Sequence, residues 1–134
     1  MSIVVAYSAD RYGKAALEHA ATLARRDTAR MVVVNATQGE SLVDRRFAAD
    51  ADIEAVREAL VAEGLEVVVR HDVVADVADA VIAAADEEGA TLIVVGIRHR
   101  TPVGKLLLGS VAQRIILEAH CPVLAVKPDA GART

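Results

Sequence analysis

Five short, almost wholly aliphatic runs, set apart by stretches that repeat at helical spacing, restrict this chain to one kind of architecture. The runs are Ile3-Val4-Val5-Ala6-Tyr7, Arg30-Met31-Val32-Val33-Val34-Asn35-Ala36, Leu65-Glu66-Val67-Val68-Val69-Arg70-His71, Thr91-Leu92-Ile93-Val94-Val95 and Cys121-Pro122-Val123-Leu124-Ala125-Val126-Lys127. A strand that reads apolar on both faces must be covered on both, as the strands of parallel sheets are. Between the runs, apolar residues recur at helical spacing: Ala16, Leu17, Ala20, Leu23 and Ala24 within 11–26; Ile53, Val56 and Leu60 within 50–63; Val77, Val81, Ile82 and Ala85 within 75–88; Ala112, Ile115, Ile116 and Ala119 within 111–119. Five strands alternating with four helices imply right-handed crossovers and a doubly wound α/β sheet.

Local signals punctuate the same plan. Asp10 stands where a helix cap is needed, Arg25-Arg26 put positive charge at that helix's C-terminal end, and Gly13 is expected to weaken its first turn. Gly64 and Gly89 are helix stops. The third run alternates in part, as expected near a sheet edge, and Pro122 also suits an edge because proline cannot donate to a ladder. The polar stretch 37–46 is the longest loop. Residues 1–128 are read as one domain and 129–134 as a disordered polar tail.

Composition narrows what such a domain can do. With 134 residues there is room for one core and no second domain, and with 54% hydrophobic but only 2% aromatic residues that core is aliphatic. A net charge of −4 and the scarcity of aromatics argue against nucleic acid as a partner. No run approaches the roughly 20 apolar residues of a membrane span. One cysteine makes no internal disulfide, and the start Met1-Ser2-Ile3-Val4 has neither basic flank nor long apolar stretch, so a cytoplasmic protein is expected.

Scaffold gives way to a candidate site in the segment 95–111. An apolar run stops at Gly96; Arg98-His99-Arg100 and Lys105 form the densest basic cluster in an acidic chain; Gly109-Ser110 then opens an amphipathic segment. Ser110 is expected to be the N-cap, with Gly109 letting another group approach the backbone. Phosphate oxygens suit such a place, because a helix start offers free N–H donors and the positive end of the dipole.

This loop resembles the nucleotide loop of the universal stress protein family, Gly-x2-Gly-x9-Gly-Ser/Thr. Gly96, Gly109 and Ser110 fall at the matching spacings, while His99 stands at the second glycine. The resemblance runs from Ile3-Val4-Val5-Ala6 through Cys121-Pro122-Val123-Leu124-Ala125-Val126. It implies a five-stranded sheet of order 3-2-1-4-5 in a flavodoxin-like, adenine-nucleotide alpha hydrolase-like three-layer sandwich, with ligands beyond the carboxyl ends of the strands. It also implies phosphate contacts from Gly96, Ile97, Arg98, His99, Arg100, Gly109, Ser110 and Val111, and nucleoside contacts from Ala6, Tyr7, Ser8, Asn35 and Ala36. An aspartate usually closes strand 1 in nucleotide-binding relatives; here the aligned residue is Ser8. A homodimer is expected through Pro122, Val123, Leu124, Ala125 and Val126, since an apolar edge invites pairing; by resemblance two such strands meet antiparallel across a two-fold axis.

Catalytic patterns fail one by one. Gly104-Lys105 lacks the first glycine and the hydroxyl residue of a Walker A loop. His19, His71 and His120 do not form a metal-site spacing, and Cys121 opens a buried strand. No dedicated enzyme is expected, only slow, incidental ATP hydrolysis at most. Two functions remain: a stress-linked sensor that binds ATP, with Mg2+ only alongside the nucleotide, and signals to an unidentified protein partner; or a nucleotide-free dimeric interaction module. Gly96 and Gly109-Ser110 favour the first; Ser8 and His99 favour the second.

Overall fold

In a computed structural model, which describes residues 1–37, 50–97 and 108–128, strands and helices alternate along the chain. They are β1 (Ser2–Ala6), α1 (Arg11–Asp27), β2 (Arg30–Thr37), α2 (Asp50–Ala62), β3 (Val67–Val73), α3 (Val77–Glu87), β4 (Leu92–Gly96), α4 (Ser110–Glu118) and β5 (Val123–Val126). All strand pairs are parallel, and the order is β3-β2-β1-β4-β5, as the resemblance implied. The long loop at 38–49, the basic cluster at 98–100 and Lys105, and the tail at 129–134 lie outside the described residues.

The aliphatic runs divide their side chains between two buried layers because successive strand residues point to opposite faces. Ile3, Val5, Met31 and Val33 pack under α1 and α2. Val4, Val32, Val34, Ile93 and Val95 pack under α3 and α4. Burying each such side chain contributes about 1.5–3 kcal/mol relative to exposure. The buried face of α1 is Ala16, Ala20, Ala21 and Ala24, small enough to let that helix lie close on the sheet.

Several boundaries differ from expectation, each for a local reason. Helix α3 starts at Val77, not at residue 75, because Asp76 is an extended N-cap whose carboxylate accepts from the Asp79 N–H. β3 runs from Val67 to Val73, since Leu65 is still held by the α2 terminus through its N–H to Leu60 O. β5 shortens to Val123–Val126, although the Pro122 carbonyl already accepts from the Ile93 N–H. Helical spacing put Ile116 on the buried stripe of α4, yet it is 38% exposed, because α4 covers the end of the sheet and has a neighbouring helix on one side only.

Candidate functional site

The sheet order reverses between β1 and β4, so the carboxyl ends of these central strands border the crevice in which ligands of such sheets bind. Each strand hands over to a helix there, and the two junctions are built differently.

After β1 the loop is closed on itself. Ser8 Oγ donates to Asp10 Oδ1 at 2.7 Å, and the same oxygen accepts from the Gly13 N–H at 2.9 Å. The Asp10 carbonyl then takes the Lys14 N–H. Asp10 is thus the N-cap foreseen for α1. Gly13 has a role that its helix position concealed: a Cβ there would lie 1.9 Å from the Ser8 carbonyl oxygen. Gly96 is similarly constrained, since its Cβ would lie 2.2 Å from the Tyr12 carbonyl oxygen. These two glycines let the first turn of α1 press against the ends of β1 and β4.

The other residues expected on the nucleoside side are mostly built in. Tyr7 is 8% exposed and Asn35 1% exposed. Asn35 Nδ2 donates to the Tyr7 carbonyl at 3.0 Å, and the Tyr7 N–H reaches Val34 O, so the ends of β1 and β2 are pinned together. Burial, then Asp10 and Asp52, push the Tyr7 phenol above its ordinary range. Ala6 and Ala36 remain half-buried on the α3 and α4 side, packed against the same layer as Leu108 and Val111.

Among the described residues the start of α4 is open. Ser110 is not the N-cap: that position is Gly109, at φ 90 and ψ 144, and it makes no side-chain cap bond. The reason is steric, because that backbone conformation is essentially restricted to glycine, which shifts the helix start one residue earlier than the serine suggested. The first intrahelical bond runs from the Gln113 N–H to the Gly109 carbonyl at 2.9 Å. The N–H groups of Ser110, Val111 and Ala112 therefore have no acceptor within the helix. A Cβ on Gly109 would meet nothing within 4 Å among the described residues, so this approach is unobstructed by them. Ile97 is buried and fixes the end of β4 against β5 through its N–H to Val126 O. Arg98, His99 and Arg100 lie outside the described residues.

A guanidinium on the outer side of α4 steadies that helix. Arg114 bonds Asp76 at 2.6 Å, Asp79 at 2.7 Å and Glu118 at 3.1 Å, joining α4 to the start of α3. Its partners lie 35 residues and more upstream or one turn along, so only Glu118 was visible from spacing. Asp76 is held below the usual carboxylate range, first by the Asp79 backbone N–H and then by Arg114. Burial and Asp86 push the Cys121 thiol up, which disfavours the thiolate. His120 sits beside Asp86 at 3.0 Å. Among the described residues no group of three or more His, Cys, Asp or Glu side chains could hold a metal ion, and no helix is long and apolar enough to cross a membrane.

At the far edge, the register of β4 with β5, and the bonds from Ile93 N–H to Pro122 O and from Ile97 N–H to Val126 O, set which main-chain groups are used. Pro122, Leu124 and Val126 face β4. The N–H and C=O groups of Val123 and Ala125 therefore point to the open side. The Val123 side chain packs on the α4 side of the sheet and that of Leu124 on the α1 side.

A family model, the universal stress protein family, matches residues 1–127. A universal stress protein of Mycolicibacterium smegmatis is 49% identical over 126 residues, 94% of this chain and 97% of that one. A universal stress protein from Archaeoglobus fulgidus, solved in complex with dAMP, is 31% identical with a TM-score of 0.64, covering 95% of this chain and 98% of that one. A universal stress protein solved in complex with cAMP is 26% identical with a TM-score of 0.71, covering 96% and 98%.

Proposed function

The chain belongs to the universal stress protein family, and on that premise we propose that it is a stress-linked cytoplasmic binding protein, not a dedicated enzyme, that takes an adenine nucleotide weakly at the β1–β4 crevice. The observation that carries this reading is the open start of α4: three first-turn N–H groups without a helical acceptor, behind a glycine, at the carboxyl edge of the sheet. Phosphate oxygens are complementary to such donors and to the dipole behind them. The dAMP and cAMP bound by the two relatives carry groups of this kind. The phosphate half would comprise Gly96, Ile97, Gly109, Ser110 and Val111, with cationic charge from Arg98, His99 and Arg100. The nucleoside half would rest on Ala6, Ala36 and the main chain at Tyr7 and Ser8.

Affinity in the micromolar to millimolar range follows from an imbalance between those halves. Ser8 offers a neutral hydroxyl whose proton is engaged by Asp10, and a missing hydrogen bond to a charged group costs about 1.5–3 kcal/mol, or about ten- to a hundredfold in affinity. Mg2+ would enter on the nucleotide's own phosphates. Occupancy would be read by a protein partner, with the protein a dimer through its β5 edge. The closed Ser8-Asp10-Gly13 loop favours a second reading, a nucleotide-free module, because it leaves little unsatisfied polarity on the nucleoside side. Mass spectrometry of small molecules released from the purified protein, followed by calorimetric titration with ATP and dAMP, separates the two. The sensor predicts saturable heat; its absence at millimolar nucleotide leaves the module.

A further inference from the structure

Where β1 leaves the sheet, β2 keeps going. The pairing of β1 with β2 ends at Ala6 beside Val34, while β2 runs on to Thr37 against β3 alone. Successive main-chain groups of a strand point to opposite edges, so each neighbour is reached by every second residue. Arg30 donates to the Met1 carbonyl and Met31 to the Glu66 carbonyl, which puts the even-numbered residues of β2 on the β1 side. The Tyr7 N–H reaches the Val34 carbonyl at 2.9 Å, and the rung due next runs from the Ala36 N–H to the Tyr7 carbonyl. Among the described residues that rung is not formed, and the pairing stops short of it. The Tyr7 carbonyl takes the Asn35 side-chain amide instead, with Nδ2 at 3.0 Å. Asn35 stands on the face of β2 that Met31 and Val33 share under α1 and α2, so it reaches this carbonyl from behind the crevice wall. The N–H and C=O of Ala36 are left aimed past the last β1 rung, into the crevice.

Resting on the nucleotide reading of this crevice, we propose that Asn35 is a positioning residue for the base: by satisfying the Tyr7 carbonyl it ends the β1–β2 ladder one rung early and keeps the Ala36 N–H facing the ligand. The residue type supports this role. Asn35 is 1% exposed at the end of a run of valines, where another β-branched residue would suit the strand better and bury no polar group. A buried carbonyl must find a donor, and two are within reach of this one. If the donor is the Ala36 N–H, β1 and β2 zip further and the crevice wall offers the base no donor at that point. If it is the Asn35 amide, the carbonyl is satisfied from behind and the Ala36 N–H stays available to an acceptor atom of the base. Asn35 touches no ligand in this scheme. It acts through the Tyr7 carbonyl, and the sequence could not show this, because the same residue read as a nucleoside contact until its side chain was placed on the opposite face from Ala6 and Ala36.

Scalar couplings across hydrogen bonds, measured by NMR on the isotope-labelled protein, test the ladder without any ligand. The wild type should show the Tyr7 nitrogen coupled to the Val34 carbonyl carbon and no coupling between the Ala36 nitrogen and the Tyr7 carbonyl carbon. Asn35→Val and Asn35→Ala, two variants so that one folded protein suffices, should gain the Ala36 coupling. Calorimetry then reads the consequence. The variant should bind dAMP about two- to tenfold more weakly, the worth of one hydrogen bond between neutral groups, and should bind tripolyphosphate, which has no base, as the wild type does. An Ala36 coupling already present in the wild type, or absent from a folded variant, overturns the proposal. Equal losses for dAMP and tripolyphosphate also overturn it, since they mark a general structural effect. If a variant gains the rung and still binds dAMP as well as the wild type, Asn35 does not position the base and the nucleotide reading stands. A wild type that binds neither probe at millimolar concentration overturns both.

Discussion

The helices that leave the two central strands begin in opposite ways. At α1 an aspartate claims a first-turn donor, a serine is bonded to that aspartate, and a glycine lets the turn sit on the loop. At α4 a glycine in a conformation of its own stands at the cap, and three donors have no acceptor within the helix. Both junctions face the same crevice, both follow a buried aliphatic strand, and both contain a serine. The difference is whether a side chain of the cap residue takes a first-turn N–H, as Asp10 does at α1 and Gly109 cannot at α4. The first junction is capped by its own side chain; the second is where phosphate binding is proposed.

The comparison breaks most violently at Gly13. Gly13→Ala would place a methyl inside the radius of the Ser8 carbonyl and should cost about 3 kcal/mol or more, read as a drop in the urea midpoint. Gly96→Ala should behave alike, because the Tyr12 backbone blocks it. Gly109→Ala meets no such obstruction among the described residues, so its cost should come from backbone strain, about 1–3 kcal/mol, accompanied by weaker nucleotide binding in calorimetry. Asp10→Ala should cost about 1 kcal/mol through the lost cap yet leave nucleotide affinity unchanged, which sharpens the contrast between a structural and a binding junction.

The smallest effect concerns the third capped start, at α3. Asp76 has a depressed folded pKa, so the stability it lends is fully present above its unfolded value near 3.8 and is lost as pH falls through the lower folded value. Asp76→Asn should therefore lower the melting temperature modestly at neutral pH, with the difference from the wild type shrinking as pH falls below that value.

The fold was legible because it rests on buried aliphatic strands, whose pattern is a property of the chain alone. The nine elements among the described residues follow from runs such as Val32-Val33-Val34 and from the period of helices such as α3. The place of the candidate site, at the carboxyl ends of the central strands, was legible through Gly96 and Gly109-Ser110, but its local geometry was not. Ser110 and Gly109 are each plausible caps, and the choice turns on a φ that residue types do not reveal. The purpose of Gly13 depends on how the turn at Ser8 folds back on the helix, and the packing demand on Gly96 on the first turn of α1 lying against it. Arg114 was readable as an i, i+4 partner of Glu118, but its bonds to Asp76 and Asp79 needed α3 laid beside α4. Ile116 was placed by periodicity on a covered face, and periodicity does not say where a sheet ends.

Which helix start receives a phosphate is reported directly by amide chemical shifts. Titration of the 15N-labelled protein with dAMP to millimolar concentration should move the amide resonances of Ser110, Val111 and Ala112 saturably, while those of Gly13 and Lys14 stay in place. Movement at the α1 start instead, or no movement at either, would contradict the assignment of α4 as the phosphate site.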